Sequence, residues 1–425
     1  MLLGFALRAK AKWPAIFIFA VMMFVAETKL INVMGTWAEA SAAAVQCVTI
    51  GGPLFGALAA WQSGSISRGS NREQLNLSKD FGVKASLGVY LGNAIWALLS
   101  YFVLVVIVHL QVASQASWGQ PTWIWLLGGA ISMALHVAGG HLLGFLIPGF
   151  LTPMLAALVL FSVDAFLMLS GAGPRSLLSP GYSQVQVDAF LINQEVLGLQ
   201  ALWFFCLAVG CLALVMLSLQ GPKVMRWVSL SLAVLGAGVS GFFVSVSPTG
   251  FYILSVDHWA PVCAGAPSVC IHPAHESKRD AITAALKPTL DHLEGTSFAG
   301  TQYEWRNRGY LGAPSSGGIA FHLDGIGDSW APAMRLELVG DLFSPGSQSG
   351  GPCENGGPKS IAYSSLGNLL AGWLTDDPNT YDRVAVEDRV SAKLFLSWTE
   401  AKKKAWLSAN TQQICSGSLN SKSFK

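Results

Sequence analysis

The stretch Trp227–Ser247, WVSLSLAVLGAGVSGFFVSVS, contains no charged residue and separates two parts of the chain that differ in character. A helix of this length spans about 30 Å, the thickness of the hydrocarbon core of a bilayer, and satisfies its own backbone hydrogen bonds there. A buried helix of a large soluble enzyme is the alternative, but several earlier runs share this length and apolar character. We therefore predict that the stretch is the last of several membrane spans.

Charge is unevenly distributed along the chain. Residues 1–247 contain 11 basic residues (Lys and Arg) and 7 acidic residues (Asp and Glu). The shorter stretch 248–425 contains 15 basic and 17 acidic residues. We therefore predict a transmembrane domain over residues 1–247 and a soluble domain over residues 248–425, which is long enough to bury its own core. Neither part is strongly basic, which argues against nucleic acid as a partner.

The apolar runs predict a polytopic α-helical membrane protein with about seven transmembrane helices in a lipid membrane. The carboxyl-terminal part mixes helical and strand patterns, so a soluble α+β domain completes the expected fold. The predicted spans are Trp13–Met34, Ala44–Gln62, Ser86–Ala113, Trp123–Ile147, Phe150–Gly171, Leu202–Leu219 and Trp227–Ser247.

Basic residues predict the orientation of these spans. The first residues carry Arg8, Lys10 and Lys12 without an acid, and no small-residue cleavage site closes the first apolar run early. This pattern favours an uncleaved span with a cytoplasmic amino terminus. In agreement, Arg175 is the one basic residue in the two long outer loops between spans. An odd number of crossings then places residues 248–425 outside the cytoplasm. We expect a multi-pass protein of the plasma membrane.

The seven cysteines support this division. Three of them lie inside predicted spans, where thiols behave as small apolar groups, and four lie in the soluble part. An even number in an exported domain suggests two disulfides. Three pairings are possible, and proximity in sequence favours Cys263 with Cys270 and Cys353 with Cys415. A zinc site is disfavoured because close C-x-x-C pairs are missing.

Residues that are charged at neutral pH occur within two of the predicted spans, and the fourth span contains His136 and His141. Glu27 and Lys29 lie near the outer end of the first, and Asp164 lies in the fifth. Such groups are costly in hydrocarbon, so they tend to pair or to face a polar cavity, and a functional role is a reasonable hypothesis. Location in the headgroup layer is the alternative for Glu27 and Lys29, and a hydrogen-bonded structural carboxylate is the alternative for Asp164.

The stretch Val269–Glu276, VCIHPAHE, is the part of the soluble domain that most suggests a metal site. Its last two residues begin like the zinc-peptidase motif H-E-x-x-H, but Arg279 stands where the second histidine is required. His272 and His275 remain weak candidates as metal ligands. The alternative is a strand end followed by a helix start, held by a disulfide.

Other patterns in the soluble part indicate its secondary structure. The sequence contains neither a G-x-x-x-x-G-K-[ST] phosphate loop nor a G-x-S-x-G nucleophile elbow. The last predicted helix, Arg383–Leu407, is expected to be interrupted near Thr399. The predicted elements are helices His275–Leu293, Ser360–Thr375 and Arg383–Leu407 and strands Gln302–Tyr310, Ile319–Leu323 and Met334–Val339.

Four stretches carry a resemblance to a known family. They are AAWQSGSISRGSNREQLNLS after the second span, GGHLLGFLIPGFLTPMLAALVLF across the fourth and fifth spans, and the VCIHPAH stretch together with the ending AWLSANTQQIC. The chain resembles permease subunits of actinobacterial ABC-type transporters of the six-span export kind, here with an added extracytoplasmic domain. It departs from that pattern by having a seventh span.

The resemblance implies a permease without catalytic activity or cofactor of its own, which moves a substrate outward. It implies a dimer that works with a separate ATPase subunit, where ATP is bound. On this interpretation Arg72, Glu73, Leu75 and Leu77 contact the ATPase, while Glu27, Lys29 and Asp164 line the translocation path.

Two alternatives belong to other functional classes. One is a membrane-anchored extracytoplasmic hydrolase or metal-binding protein, which requires a converging set of polar side chains in the soluble part. The other is a ligand sensor or immunity protein whose spans signal or anchor.

Overall fold

The computed structural model describes residues 12–30, 35–68, 79–114, 116, 118–169, 174–181, 190–219, 223–247, 252–254, 261–305, 318–322, 330–343, 352–353 and 364–424. The chain divides into two compact units. The first contains the described residues up to Leu254, and so includes a short strand beyond the predicted domain boundary. The second contains the described residues from 261 onward.

The first unit is almost entirely helical. Among the described residues it also contains a 3₁₀ helix, Pro174–Leu178, and a short antiparallel pair of strands, β1 (Phe190–Ile192) and β2 (Tyr252–Leu254). Its helices are α1 (Lys12–Leu30), α2 (Trp37–Gln46), α3 (Val48–Ile66), α4 (Lys79–Ala113), α5 (Trp123–Leu146), α6 (Thr152–Leu169), α7 (Gln194–Ser218) and α8 (Lys223–Val246).

Six helical stretches of the described chain are long and apolar enough to cross a membrane, which is consistent with a multi-pass membrane protein. They coincide with the second to seventh predicted spans. The first predicted span falls on α1, which is not among the six, so that crossing stays a prediction. The six stretches are Trp37–Ile66, Gly82–Ala113, Trp123–Leu146, Thr152–Leu169, Gln194–Ser218 and Trp227–Val246.

The second span begins earlier than its apolar composition indicates. Thr36 caps α2 in a reciprocal arrangement, since its hydroxyl accepts from the Glu39 backbone while the Glu39 carboxylate accepts from the Thr36 backbone. Cys47 then keeps a helical backbone between α2 and α3, with φ −61° and ψ −21°. The helical stretch that is long enough to cross a membrane therefore contains 30 residues, from Trp37 to Ile66.

Small residues allow α3 and α5 to pack closely along their length. A Cβ atom placed on Gly140 would overlap the carbonyl oxygen of Gly56, and one on Gly144 would overlap that of Ala60. Where no hydrophobic force between helices exists, such backbone contact supplies the van der Waals attraction that holds spans together. The backbones of α3 and α5 are therefore in close contact at two positions.

The second unit combines a four-stranded sheet with several helices. Its elements are β3 (Val262–Ala264), β4 (Ser268–Ile271), α9 (Arg279–Leu293), β5 (Gln302–Trp305), β6 (Ile319–Phe321), α10 (Trp330–Leu342), α11 (Ser365–Thr375), α12 (Arg389–Leu396), α13 (Glu400–Ala409) and α14 (Thr411–Cys415). The strand order in the sheet is β3–β4–β5–β6. The β3 and β4 strands are antiparallel, whereas the β4–β5 and β5–β6 pairs are parallel. Helix α9 connects β4 to β5, as a parallel pair requires.

One predicted element of the second unit is wrong. Met334–Val339 was expected to be a strand because apolar and polar residues alternate there, but it lies within helix α10. The buried residues Met334, Leu338 and Leu342 are spaced by four, so one helical face covers them all. An apolar pattern over only six residues did not discriminate between the strand period of 2 and the helix period of 3.6 residues.

The interruption predicted near Thr399 is confirmed. α12 ends at Leu396, and the Thr399 hydroxyl accepts a hydrogen bond from the Lys402 backbone to begin α13. Both favoured disulfides are also present, Cys263 with Cys270 across the β3–β4 pair and Cys353 with Cys415. The three remaining cysteines, Cys47, Cys206 and Cys211, belong to the first unit and form no disulfide.

Candidate functional site in the membrane helices

His136 of α5 and Asp164 of α6 form a buried pair between helices. The imidazole Nε2 lies 2.9 Å from the carboxylate Oδ2, and the two residues are 3% and 6% exposed. His136 lies ten residues before the end of α5, and Asp164 lies twelve residues after the start of α6, about 15 Å and about 18 Å along their helices. In a helix that crosses a hydrocarbon core of about 30 Å, residues at these distances from the turn lie near the middle of the core.

The hydrogen bonds of His136 fix how many protons the pair contains. Its Nδ1 lies 2.8 Å from the Ser132 carbonyl oxygen, which can only accept, so Nδ1 carries a hydrogen. The contact between Nε2 and Asp164 therefore contains one shared proton, on the ring or on the carboxyl group. The pair is then neutral overall, as burial in a low dielectric requires.

Helix α3 closes the site from a third side. A Cβ atom on Gly52 would lie 2.7 Å from the His136 ring, so the absence of a side chain there makes room for the imidazole. The same close approach holds the ring against α3 and limits its rotation. His136 therefore has one arrangement, set by Ser132, Asp164 and Gly52.

A second set of polar contacts lies toward the Arg68 end of the helices. His141 Nε2 lies 2.9 Å from the Ser86 hydroxyl, and both side chains are buried. Its Nδ1 has no hydrogen-bond partner among the described residues. Two turns further along α4, the Asn93 amide donates to Gln62 at 3.2 Å. Polar groups thus occur at several depths of the same helical bundle.

The two predicted path carboxylates do not form one cluster. Glu27 is exposed near the end of α1 and accepts a hydrogen bond of 2.6 Å from Gln111 of α4. Asp164 bonds instead to His136. Lys29 belongs to α1, but its side chain is outside the described part of the chain. The predicted ATPase contacts Arg72, Glu73, Leu75 and Leu77 also lie outside the described residues.

The partner of Asp164 was absent from the predicted site, although the sequence contains a signal for it. α5 and α6 are joined through Pro148 and Gly149, so they run antiparallel. Residues at similar distances from that turn then lie opposite each other, and His136 and Asp164 satisfy this condition.

In the second unit, the weak metal candidates have structural contacts. His272 caps the short 3₁₀ turn Pro273–Lys278 by accepting from the Ala274 backbone at 3.2 Å. His275 is 1% exposed and packs edge-on against Trp305, with ring centroids 4.7 Å apart. Burial lowers the pKa of His275 to about 4. The described residues contain no group of three His, Cys, Asp or Glu side chains that could hold a metal ion.

Arg279, which stands where the zinc-peptidase motif has its second histidine, makes structural hydrogen bonds. Its guanidinium group donates to the Glu276 carboxylate at 2.7 Å and to the carbonyl oxygens of Val269 and Val262 at 2.8 Å and 2.7 Å. The hydrogen bond from Arg279 lowers the pKa of the Glu276 carboxylate. The arginine therefore ties the start of α9 to strands β3 and β4, which is a structural task.

A further His and carboxylate cluster of the second unit was not predicted. His292 lies 3.1 Å from Asp376 and 3.2 Å from Glu400, one contact for each ring nitrogen. Burial acts to raise the pKa of Glu400, but hydrogen bonds from Lys403 and Trp373 outweigh it and the pKa is lowered. Both nitrogens of His292 already have carboxylate partners. This arrangement joins α9, α11 and α13.

Comparison of the chain with protein family models, with curated proteins and with solved structures gives no match.

Proposed function

We propose that the chain is the membrane subunit of an ABC-type exporter that works with a separate ATPase subunit. Its second unit acts outside the cytoplasm in binding substrate or a partner. The observation that carries the proposal is the buried His136–Asp164 pair near mid-depth of helices long enough to cross a membrane.

A buried ionisable pair favours transport over anchoring. A helix that only anchors a domain can be apolar throughout, whereas ionisable groups inside a membrane are costly and mark ion or substrate pathways. In this chain the pair is supported by a Ser132 carbonyl and by the space at Gly52. The second polar contact, between His141 and Ser86, extends the polar interior toward one end of the bundle.

The ATPase part of the proposal rests on the sequence. No phosphate-binding loop occurs in the chain, which suits a permease whose energy comes from a partner. The contact residues Arg72 and Glu73 lie in the segment between α3 and α4. ATP hydrolysis on the partner would then shift the spans between inward-open and outward-open populations.

Co-purification from the native membrane tests this proposal. We expect an ATP-binding protein to co-purify with the wild-type chain, and Arg72→Ala combined with Glu73→Ala to reduce its recovery. The matched control is Glu195→Ala, an exposed acid at the start of α7 that the predicted topology places on the other side of the membrane. Recovery that is equal in all three proteins, or the absence of any ATP-binding protein, contradicts the proposal.

The His136–Asp164 pair also favours a second candidate, transport driven by a proton gradient. The shared proton makes the pair a natural site for proton binding and release at mid-depth. Proteoliposomes that contain only this chain and enclose a pH-sensitive dye would then show proton entry that Asp164→Asn abolishes. Proton entry without a partner favours this candidate, and its absence together with ATPase recovery favours the exporter.

A further inference from the structure

An open cavity lies at one end of the helical bundle, where α3 ends and α6 begins. Its volume is about 340 Å³. The cavity is apolar except for one cation, and the described residues that line it include no carboxylate. The lining residues are Ala57, Leu58, Trp61, Arg68, Phe150 and Pro153.

The cation, Arg68, is held in place by the turn between α5 and α6. Its Nε donates to the Pro148 carbonyl oxygen at 3.2 Å, and its Nη2 donates to the Gly149 carbonyl oxygen at 2.6 Å. The side chain is exposed, and its guanidinium group has further N–H donors beyond these two bonds. A guanidinium held by two carbonyl oxygens, with N–H donors that no described residue accepts from, matches the geometry of a phosphate group.

The depth of the cavity matches the boundary between headgroups and acyl chains. Arg68 lies just beyond the end of α3 at Ile66, whereas Ala57 and Leu58 lie further into the crossing helix. Phe150 is 85% exposed and Trp61 is 54% exposed, which is typical of aromatic residues at a membrane interface. One end of the cavity is thus cationic and polar, and the other is apolar.

We propose that this cavity binds one anionic phospholipid of the surrounding membrane. The headgroup phosphate contacts Arg68, and an acyl chain lies along Ala57, Leu58 and Pro153. A zwitterionic lipid brings an ammonium group as well, for which the described lining offers no carboxylate. The inference requires that the helices cross a membrane, but it is independent of the ATPase partner and of the His136–Asp164 pair.

The test uses the full chain in nanodiscs of phosphatidylcholine, with or without phosphatidylglycerol. We expect phosphatidylglycerol to raise the melting temperature and native mass spectrometry to detect one retained phosphatidylglycerol molecule. Arg68→Gln should reduce that retention about tenfold, because a charge-assisted hydrogen bond to phosphate is lost. Arg68→Lys, which keeps the charge but not the planar fork, should retain an intermediate amount.

Lys84→Gln is the matched control, since this exposed cation lies near the start of α4 and does not line the cavity. It should leave retention unchanged. Equal loss in both Gln variants means unspecific charge attraction and overturns the proposal. The proposal is also overturned if Arg68→Gln lowers the melting temperature, relative to the wild-type chain, by the same amount in both kinds of nanodisc. Arg68 would then only hold the Pro148–Gly149 turn in place. Stabilisation by inorganic phosphate in phosphatidylcholine nanodiscs, dependent on Arg68, overturns the lipid as occupant.

Discussion

Gly140 of α5 lies so close to Gly56 of α3 that a Cβ atom on Gly140 would overlap the Gly56 carbonyl oxygen. Because the obstacle is backbone, no side-chain rotation can relieve it, and the two helices would have to separate. We therefore expect Gly140→Ala to destabilise the first unit by about 1–3 kcal/mol, the usual cost of overpacking. An unfolding titration in mixed micelles measures this change.

Gly198→Ala provides the comparison. Gly198 is also helical, but no described atom lies within 4 Å of a Cβ placed there. Since alanine is the better helix former, this substitution should be neutral or stabilising by up to about 1 kcal/mol. Equal destabilisation by both substitutions would show that the close α3–α5 contact is not what Gly140 provides.

The His136–Asp164 pair predicts strong coupling between two substitutions. Replacement of one member by leucine leaves the other buried without its partner, which costs about 3–5 kcal/mol. The double variant His136→Leu, Asp164→Leu removes both polar groups together. Its loss of stability should therefore be smaller than the sum of the single losses by about 0.5–3 kcal/mol. The same titration measures all three variants, and additive losses would contradict the pairing.

His275 predicts a pH dependence of the second unit. Burial lowers its pKa from 6.5 to about 4, so between these values the unfolded state binds a proton that the folded state does not. The free energy of unfolding should therefore fall as pH falls through this window, by at most about 1.4 kcal/mol per pH unit. Denaturant titrations of the full chain at several pH values measure this slope.

The non-titrating variant His275→Phe isolates the contribution of this residue. Phenylalanine can keep the edge-on contact with Trp305 but has no proton to bind. Between pH 6.5 and 4 the variant should lose less stability than the wild-type chain. If the two slopes agree, other groups cause the pH dependence and His275 is already solvated.

Six helices long enough to cross a membrane could be predicted from sequence, because a long apolar run in a hydrocarbon solvent has few solutions other than a helix. Their ends were less predictable. The second span begins at Trp37 because Thr36 and Glu39 cap each other, and a polar cap interrupts the apolar composition that marks the span. The prediction of a strand at Met334–Val339 was wrong for a different reason. Six residues fit both periods, and only the packing of Leu338 and Leu342 within a helical face decides between them.

The candidate site was only half predictable. Asp164 is recognisable because a carboxylate in an apolar run is costly. His136 follows from the antiparallel hairpin through Pro148, once residues on both sides of the turn are compared. The contact between His141 and Ser86 joins helices that no short turn connects, so it depends on how α4 packs against α5. Local sequence carries no information on that packing.

The two disulfides predict unequal losses of stability. Cys353 and Cys415 are 62 residues apart, whereas Cys263 and Cys270 are only seven apart. If a disulfide acts mainly by restricting the unfolded chain, removal of the longer link costs about 4 kcal/mol and removal of the shorter about 2–3 kcal/mol. Alanine should replace both cysteines of each pair, because serine would bury hydroxyl groups at Cys353 and Cys415. Denaturant titrations of the two double variants give the ranking, and reduction of the wild-type chain should cost at least as much as the Cys353→Ala, Cys415→Ala variant. Equal losses would show that native contacts around the sulfur atoms, rather than loop closure, determine the contribution of each link.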